Sequence, residues 1–239
     1  MASQILSNAK LYAAGFNFSG DLNALALKYS ADLKDATTLI DTTHTRRPGL
    51  ADVGFQLDGY WNGGVGNVDD ALFNSVLGVN DVPITIGPLT GAEGELAYSF
   101  KAQSASYAPG GKIGDMFAFS VSGSGDGPLA RGTLLTNAAR TVTGTGTIFN
   151  LGAISSLQKL IGALHFYTLA GSGTLIVKIQ SAALVGFGSP TDRITFSTLA
   201  AVGGQFSTLA GPVTDAFWRA SWTISGFSSC TFAVNAAIQ

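Results

Sequence analysis

The chain has 239 residues, of which 46% are hydrophobic and only 12% charged, and its formal net charge is −2. Charged residues make up roughly a quarter of an ordinary soluble domain, so this composition excludes a strongly basic nucleic-acid binder and leaves little polar surface for a free monomer. Much of the surface is therefore expected to be covered by other subunits, although a plain Gly- and Thr-rich β protein, with 31 Gly, has a similar composition.

The length suits one large all-β domain or two small ones. Cys230 is the only cysteine, which excludes an intrachain disulfide, and it falls in an apolar strand pattern that suits a buried thiol. No apolar run reaches the roughly 18 residues of a membrane-spanning helix. The opening MASQILSNAK has neither a basic stretch nor an apolar core, so no secretion signal is expected, and synthesis in a cytoplasm is.

Residues 1–15 read as a weak apolar lead-in, followed by short strands around Phe16–Ser19 and Leu22–Tyr29, broken at Gly20-Asp21. Thr37–Asp41 has the β-branched and apolar side chains of a half-buried strand. Thr42-Thr43-His44-Thr45-Arg46-Arg47-Pro48-Gly49 is polar and closes on Pro-Gly, which marks a loop. Val53, Phe55, Leu57 and Gly59 then alternate with Gly54, Gln56, Asp58 and Tyr60, the period of a strand with one buried face. The stretch thus reads as a long hairpin with an exposed basic loop. Two guanidinium groups suit docking on a neighbour's carboxylates, while the residue types alone equally suit a solvated loop.

Asp41-Thr42-Thr43, then Arg46-Arg47-Pro48-Gly49-Leu50, then Gly54-Phe55-Gln56-Leu57-Asp58-Gly59-Tyr60-Trp61 resemble the tail tube (major tail) proteins of long-tailed bacteriophages. In that family a strand ending in "DTT" leads through a loop to "PGL" and to a second strand ending in "GxW" or "GFW". The resemblance is clearest over residues 16–122. It implies a structural virion protein of the tail that polymerises into stacked rings around a DNA-conducting channel. Its partners would be itself, in trimeric (pseudo-hexameric) or hexameric rings, and other tail proteins. DNA would pass without specific binding. The resemblance implies no enzyme activity and no cofactor, and it makes Thr42 to Gly49 the expected inter-subunit contact.

After the hairpin, Asn67 reads as an N-cap with Asp69 and Asp70 in the first turn of a helix over Val68–Leu77, and Gly78 as its stop. Val82–Ile86, Glu95–Gln103 and Met116–Ser122 read as strands, with a turn at Tyr107–Gly111. Ser122-Gly123-Ser124-Gly125-Asp126-Gly127-Pro128 has the composition of a flexible linker. Up to Pro109 the chain has eleven Asp and Glu against six Lys and Arg, a net −5, and the remainder has seven basic against four acidic, a net +3. That shift supports two domains: 1–122, tail-tube-like; 123–128, a linker; and 129–239, a second β domain.

In the second half, Arg140–Phe149 alternates as a strand would. Leu157, Leu160, Ile161 and Leu164 have helical spacing behind a Ser155 or Ser156 cap. Thr174–Gln180, Arg193–Thr198, Trp218–Ser225 and Ser229–Val234 read as strands. The fold class is therefore mainly β, with two sandwich or barrel domains that each carry one short helix. The second is either a structural duplicate of the first or a jelly-roll or immunoglobulin-like appendage.

The sequence offers little chemistry. Two histidines, His44 and His165, and one cysteine do not supply a conventional zinc site. Ser156-Leu157-Gln158-Lys159 matches S-x-x-K without the accompanying motifs, and Asp69-Asp70 is explained by the helix N-terminus. Trp61, Trp218 and Trp222 with Tyr60 and Tyr167 are the candidates for a sugar-stacking face. They carry the alternative reading of a capsid decoration or carbohydrate-binding module, against a core or domain-interface role for large apolar rings.

Overall fold

The computed structural model describes Leu6 and residues 8–239, so the start of the expected apolar lead-in lies outside the described residues. The chain is mainly antiparallel β. Its strands are β1 (Lys10–Ala13), β2 (Phe16–Asn17), β3 (Leu22–Asp35), β4 (Arg46–Tyr60), β5 (Val82–Gly87), β6 (Leu96–Gly110), β7 (Ala118–Arg140), β8 (Gly144–Thr145), β9 (Phe149–Asn150), β10 (Lys159–Ala170), β11 (Thr174–Ala182), β12 (Thr191–Thr195), β13 (Gly203–Ala210), β14 (Phe217–Ser225) and β15 (Ser229–Ile238). One short helix, α1 (Val68–Ala71), runs on into a π-helical turn over Leu72–Val76. The expected helix is therefore present, and its Val68, Ala71, Leu72 and Val76 face the core.

The larger sheet has the order β13-β10-β15-β7-β6-β5-β1-β2, with β4 attached to β7 and β3 to β4. The smaller sheet has the order β12-β11-β14-β8, with β9 on β14. Two hydrophobic cores result. Val53, Phe55, Leu57, Phe100, Phe119 and Val121 meet the helix and β5 in the first. Trp218, Trp222, Phe166, Phe232, Leu160 and Val177 fill the second, where β10 and β15 face the smaller sheet. The alternation read in β4 holds: Val53, Phe55, Leu57 and Gly59 are buried and Gln56 is exposed.

Several expectations are corrected. Residues 123–128 are not a linker but the middle of β7, paired with β4 through Gly123 and Ser124 and with β6 through Asp126. Small residues there reflect crowding: a Cβ on Gly123 would lie 2.3 Å from the Gln103 carbonyl oxygen and 2.8 Å from the Phe55 ring. The helix expected over 155–164 is absent: 155–158 form a turn and strand β10 begins at Lys159, so only the first half carries a helix. Leu160, Ile161 and Leu164 are buried because β10 is covered on both faces, and a doubly covered strand loses the period of two that would mark it. Thr37–Asp41 is loop, Tyr107–Gly110 is strand rather than turn, and Arg140–Phe149 is mostly irregular, with only Gly144–Thr145 paired between the end of β7 at Arg140 and the start of β9 at Phe149. Threonine and glycine alternate in that last stretch without an apolar face to bury.

The larger sheet curls until its far members meet. Gly15, in the turn between β1 and β2, approaches the start of β13 so closely that a Cβ on it would sit 2.3 Å from the Gly203 backbone nitrogen. Because the obstacle is backbone, it cannot swing away. Gly15→Ala is expected to lower stability by about 1–3 kcal/mol, the usual range for overpacking, as measured by the urea midpoint at unchanged slope.

Candidate functional site

β3 and β4 form one long antiparallel hairpin whose base belongs to the larger sheet. β4 pairs with β7 only over Gly54–Tyr60. Beyond Val53 the two strands continue together to Asp35 and Arg46, paired with each other and with no third strand. From Lys28 to Asp52 every residue is exposed except the half-buried Ala36. At about 3.3 Å per residue, this free arm projects about 20 Å from the sheet.

The arm inherits a face from the core. Leu25 and Leu27 lie opposite Leu57 and Phe55, over the first core. The same face continues outward through Tyr29 opposite Val53, Ala31 opposite Ala51 and Leu33 opposite Pro48. A bulge between Ala31 and Leu33 shifts the register there, and Leu50 falls within the shifted stretch of β4. Tyr29 is 53%, Leu33 57% and Leu50 88% exposed, and at the tip Leu39 and Ile40 are fully open to solvent. The opposite face carries Lys28, Ser30, Asp32 and Lys34. The Lys34–Asp32 ion pair on it is fully solvated and contributes little.

The tip is built rather than loose. The Asp35 carboxylate accepts from the Thr37 backbone N–H (2.9 Å) and hydroxyl (2.5 Å), and His44 Nδ1 lies 3.5 Å from its other oxygen. These contacts, those to Thr37 foremost, hold the Asp35 carboxyl below the usual range. Thr37 Oγ1 in turn accepts from the Thr45 N–H at 3.0 Å. Asp41 closes the turn by accepting from the Thr38 N–H at 2.7 Å.

Of the residues expected at an inter-subunit contact, Thr42, Thr43, His44 and Thr45 lie on this tip, and Arg46, Arg47, Pro48 and Gly49 open β4. All are exposed, and neither Arg46 nor Arg47 forms an ion pair with any described residue. The apolar face was missed in the sequence, although Leu25, Leu27, Tyr29 and Leu33 share the odd positions of one strand and could have revealed it.

Two further surfaces involve the same strands. At the other end of β4, Tyr60, Trp61, Ile113, Met116 and Phe117 are exposed, with the Trp61 and Phe117 rings packed edge-on at 5.3 Å. The uncovered face of β3, β4, β7 and β6 is made of small side chains, including Ala24, Ala26, Ser120, Ser122, Ser124 and Ala108, with Gln56 and Gln103. Across the paired rows of that face, from Ala24 to Lys28 on β3, the only charges are Lys28 and Asp58.

No family model matches the chain, and no curated protein does either. Among solved structures, one similar chain belongs to the virion of a native gene transfer agent particle, at 12% identity and TM-score 0.39, covering 51% of this chain and 94% of that one. Another is the Dit protein of phage SPP1, described as a paradigm of the hub adsorption apparatus in phages that infect Gram-positive bacteria. It is 10% identical at TM-score 0.37, covering 98% of this chain and all of that one. Both TM-scores lie below 0.5, so neither neighbour fixes the role of this chain.

The other candidates resolve differently. Trp218 and Trp222 are core residues whose indole N–H groups donate to Gly152 O and Val142 O, and the Tyr167 hydroxyl donates to Asn137 Oδ1. The five aromatics therefore do not share a face. Asp69 accepts from the Tyr107 hydroxyl at 2.5 Å and Asp70 from the Gly66 N–H at 2.7 Å. Among the described residues no group of three or more His, Cys, Asp or Glu is placed to hold a metal ion.

Because the arm's apolar side chains touch solvent, replacing them should leave the fold alone. Leu33→Ser combined with Leu50→Ser is expected to change unfolding free energy by less than about 0.5 kcal/mol while reducing concentration-dependent association in sedimentation velocity. A loss of several kcal/mol would show that the arm is folded against the body.

Proposed function

We propose that the chain is a structural virion protein, a phage tail tube subunit that polymerises into stacked rings around a DNA-conducting channel. The observation that carries this reading is the arm: an apolar face continuous with the core, projecting beyond any layer able to cover it, with two unpaired arginines beside its tip. A soluble monomer gains nothing from such a surface, whereas a subunit that docks on a second copy buries it. Strand β3 adds an unpaired edge along its whole length, of the kind that assemblies convert into an interface.

The uncovered face of β3, β4, β7 and β6 suits the channel wall. With one Lys and one Asp across its rows, it offers passing phosphates no array of cations to bind. In this reading the channel wall is nearly neutral. The second half has neither an arm nor a helix, which favours an outer appendage over a duplicated tube domain. It also favours hexameric rings with one tube domain per chain over trimeric, pseudo-hexameric ones.

The mechanism is passive, with no catalysis and no cofactor. The protein is made in the host cytoplasm, and its place is the virion tail, next to other tail proteins. The alternative of a decoration or sugar-binding module loses its main support with Trp218 and Trp222 in the core.

Concentrated wild-type protein should form hollow rings or tubes in negative-stain micrographs. Arg46→Glu with Arg47→Glu should abolish them while the circular dichroism spectrum and melting temperature stay those of the wild type. Ordinary tubes from the double variant would refute the arm's role. Wild-type particles that never stack would refute the tube assignment itself.

A further inference from the structure

A chain of buried polar side chains crosses between the two halves of the molecule. His165, in the middle of β10, is fully buried, as are Thr85 on β5 and Ser99 on β6, and Asn235 on β15 is 1% exposed. His165 Nδ1 lies 2.9 Å from Ala14 O and its Nε2 2.8 Å from Thr85 Oγ1. Thr85 Oγ1 lies 2.7 Å from Ser99 Oγ, which accepts from Asn235 Nδ2 at 2.7 Å.

The chemistry fixes the direction of every bond. A carbonyl only accepts, so Nδ1 carries the proton and Nε2 must accept from the Thr85 hydroxyl. Thr85 then accepts from Ser99, and Ser99 from Asn235. Three of these four bonds join first-half residues to second-half strands: His165 to Ala14, Thr85 to His165 and Asn235 to Ser99.

A proton on Nε2 would turn the acceptor into a donor against a hydroxyl already donating to it. Reversing the chain requires the Asn235 amide to rotate, and it still leaves a cation buried without a counter-charge. Tyr12, whose ring lies 5.7 Å away, and Tyr167, stacked on Tyr12, are the titratable neighbours, and burial raises both phenols, so neither supplies an anion. Strands β5, β13 and β15 contain no charged residue. On β1, β6 and β10 the charged side chains are Lys10, Lys101 and Lys159, all cations, and Lys101 is already paired with Asp81 and Asp126. Burial accordingly pushes His165 down to about 4.

We propose that this one-directional chain is an acid-sensitive latch: a proton taken up by His165 uncouples β1, β5 and β6 from β10 and β15 while the smaller sheet and the second core stay folded. The sign follows from the two states. An opened imidazole titrates near its ordinary value of about 6.5, well above that of the latched one, so the closed form is fully favoured above that value and loses ground as pH falls toward 4. At about pH 5 opening should be favoured roughly thirty-fold over about pH 7.5.

Hydrogen exchange of the full chain, corrected for the intrinsic pH dependence of amide exchange, reads this directly. Amides of β1 and β5 should open about thirty-fold more readily at about pH 5, those of β10, β11 and β14 should not change, and His165→Gln should abolish the difference. Equal protection at both pH values, an even loss across both cores, or the same acid response in His165→Gln would each overturn the latch. If His165→Gln does not fold, the imidazole resonances of the native chain decide. A neutral Nδ1–H tautomer that persists below pH 6 supports the latch, and titration near 6.5 in the folded protein overturns it.

Discussion

Ala118–Arg140 is one uninterrupted strand, and three others hydrogen-bond to it: β6 along one edge, and β4 then β15 in succession along the other. Both cores are built against it. Phe119 and Val121 enter the first and Leu135 the second. Because β4 leaves the edge of β7 at Gly54, before β15 takes up that edge at Thr133, a gap opens between them, and the hairpin arm diverges there. The position and free length of the arm thus follow from how one long strand shares its hydrogen bonds.

That sharing explains the composition of β7. Gly123, Gly125 and Gly132 each lie where another chain comes close: a Cβ would meet the Gln103 carbonyl, the Val53 side chain and the Ala236 carbonyl respectively. The first part of a stretch with the chemistry of a flexible linker is here a strand between neighbours: Gly123 and Ser124 have β4 on one edge and β6 on the other, and Gly125 lies against the Val53 side chain. Glycine in a strand marks close approach as readily as flexibility.

Halves joined by a strand also need a joint across the fold, and the joint is polar. Glu93 in the first half accepts from Arg140, Thr136 and Thr147, and Arg140 in turn lies 4.5 Å over the Trp222 ring. On the other side the His165–Thr85–Ser99 chain performs the same linking, fully buried. Apolar packing alone would hold these surfaces together in many arrangements. Directional hydrogen bonds, costly to leave unmade in the interior, select one.

Features governed by a few adjacent residues are legible in the sequence. The alternation of Val53, Phe55, Leu57 and Gly59, the helix over Val68–Val76 and the buried thiol of Cys230 are where their patterns place them, since each depends on one face meeting one environment. The exposed basic segment around Arg46 and Arg47 was legible for the same reason. The rest depends on contacts between distant segments. Leu160, Ile161 and Leu164 fit a helix as well as a strand until a second sheet covers both faces of β10. Whether Gly123–Pro128 bends or extends depends on β4 and β6, which lie far away in sequence. Tyr29, Leu33 and Leu50 are apolar in a strand like any core residue, and what distinguishes them is a covering layer that stops short. Such facts belong to pairs of distant segments, and periodicity along one segment does not contain them.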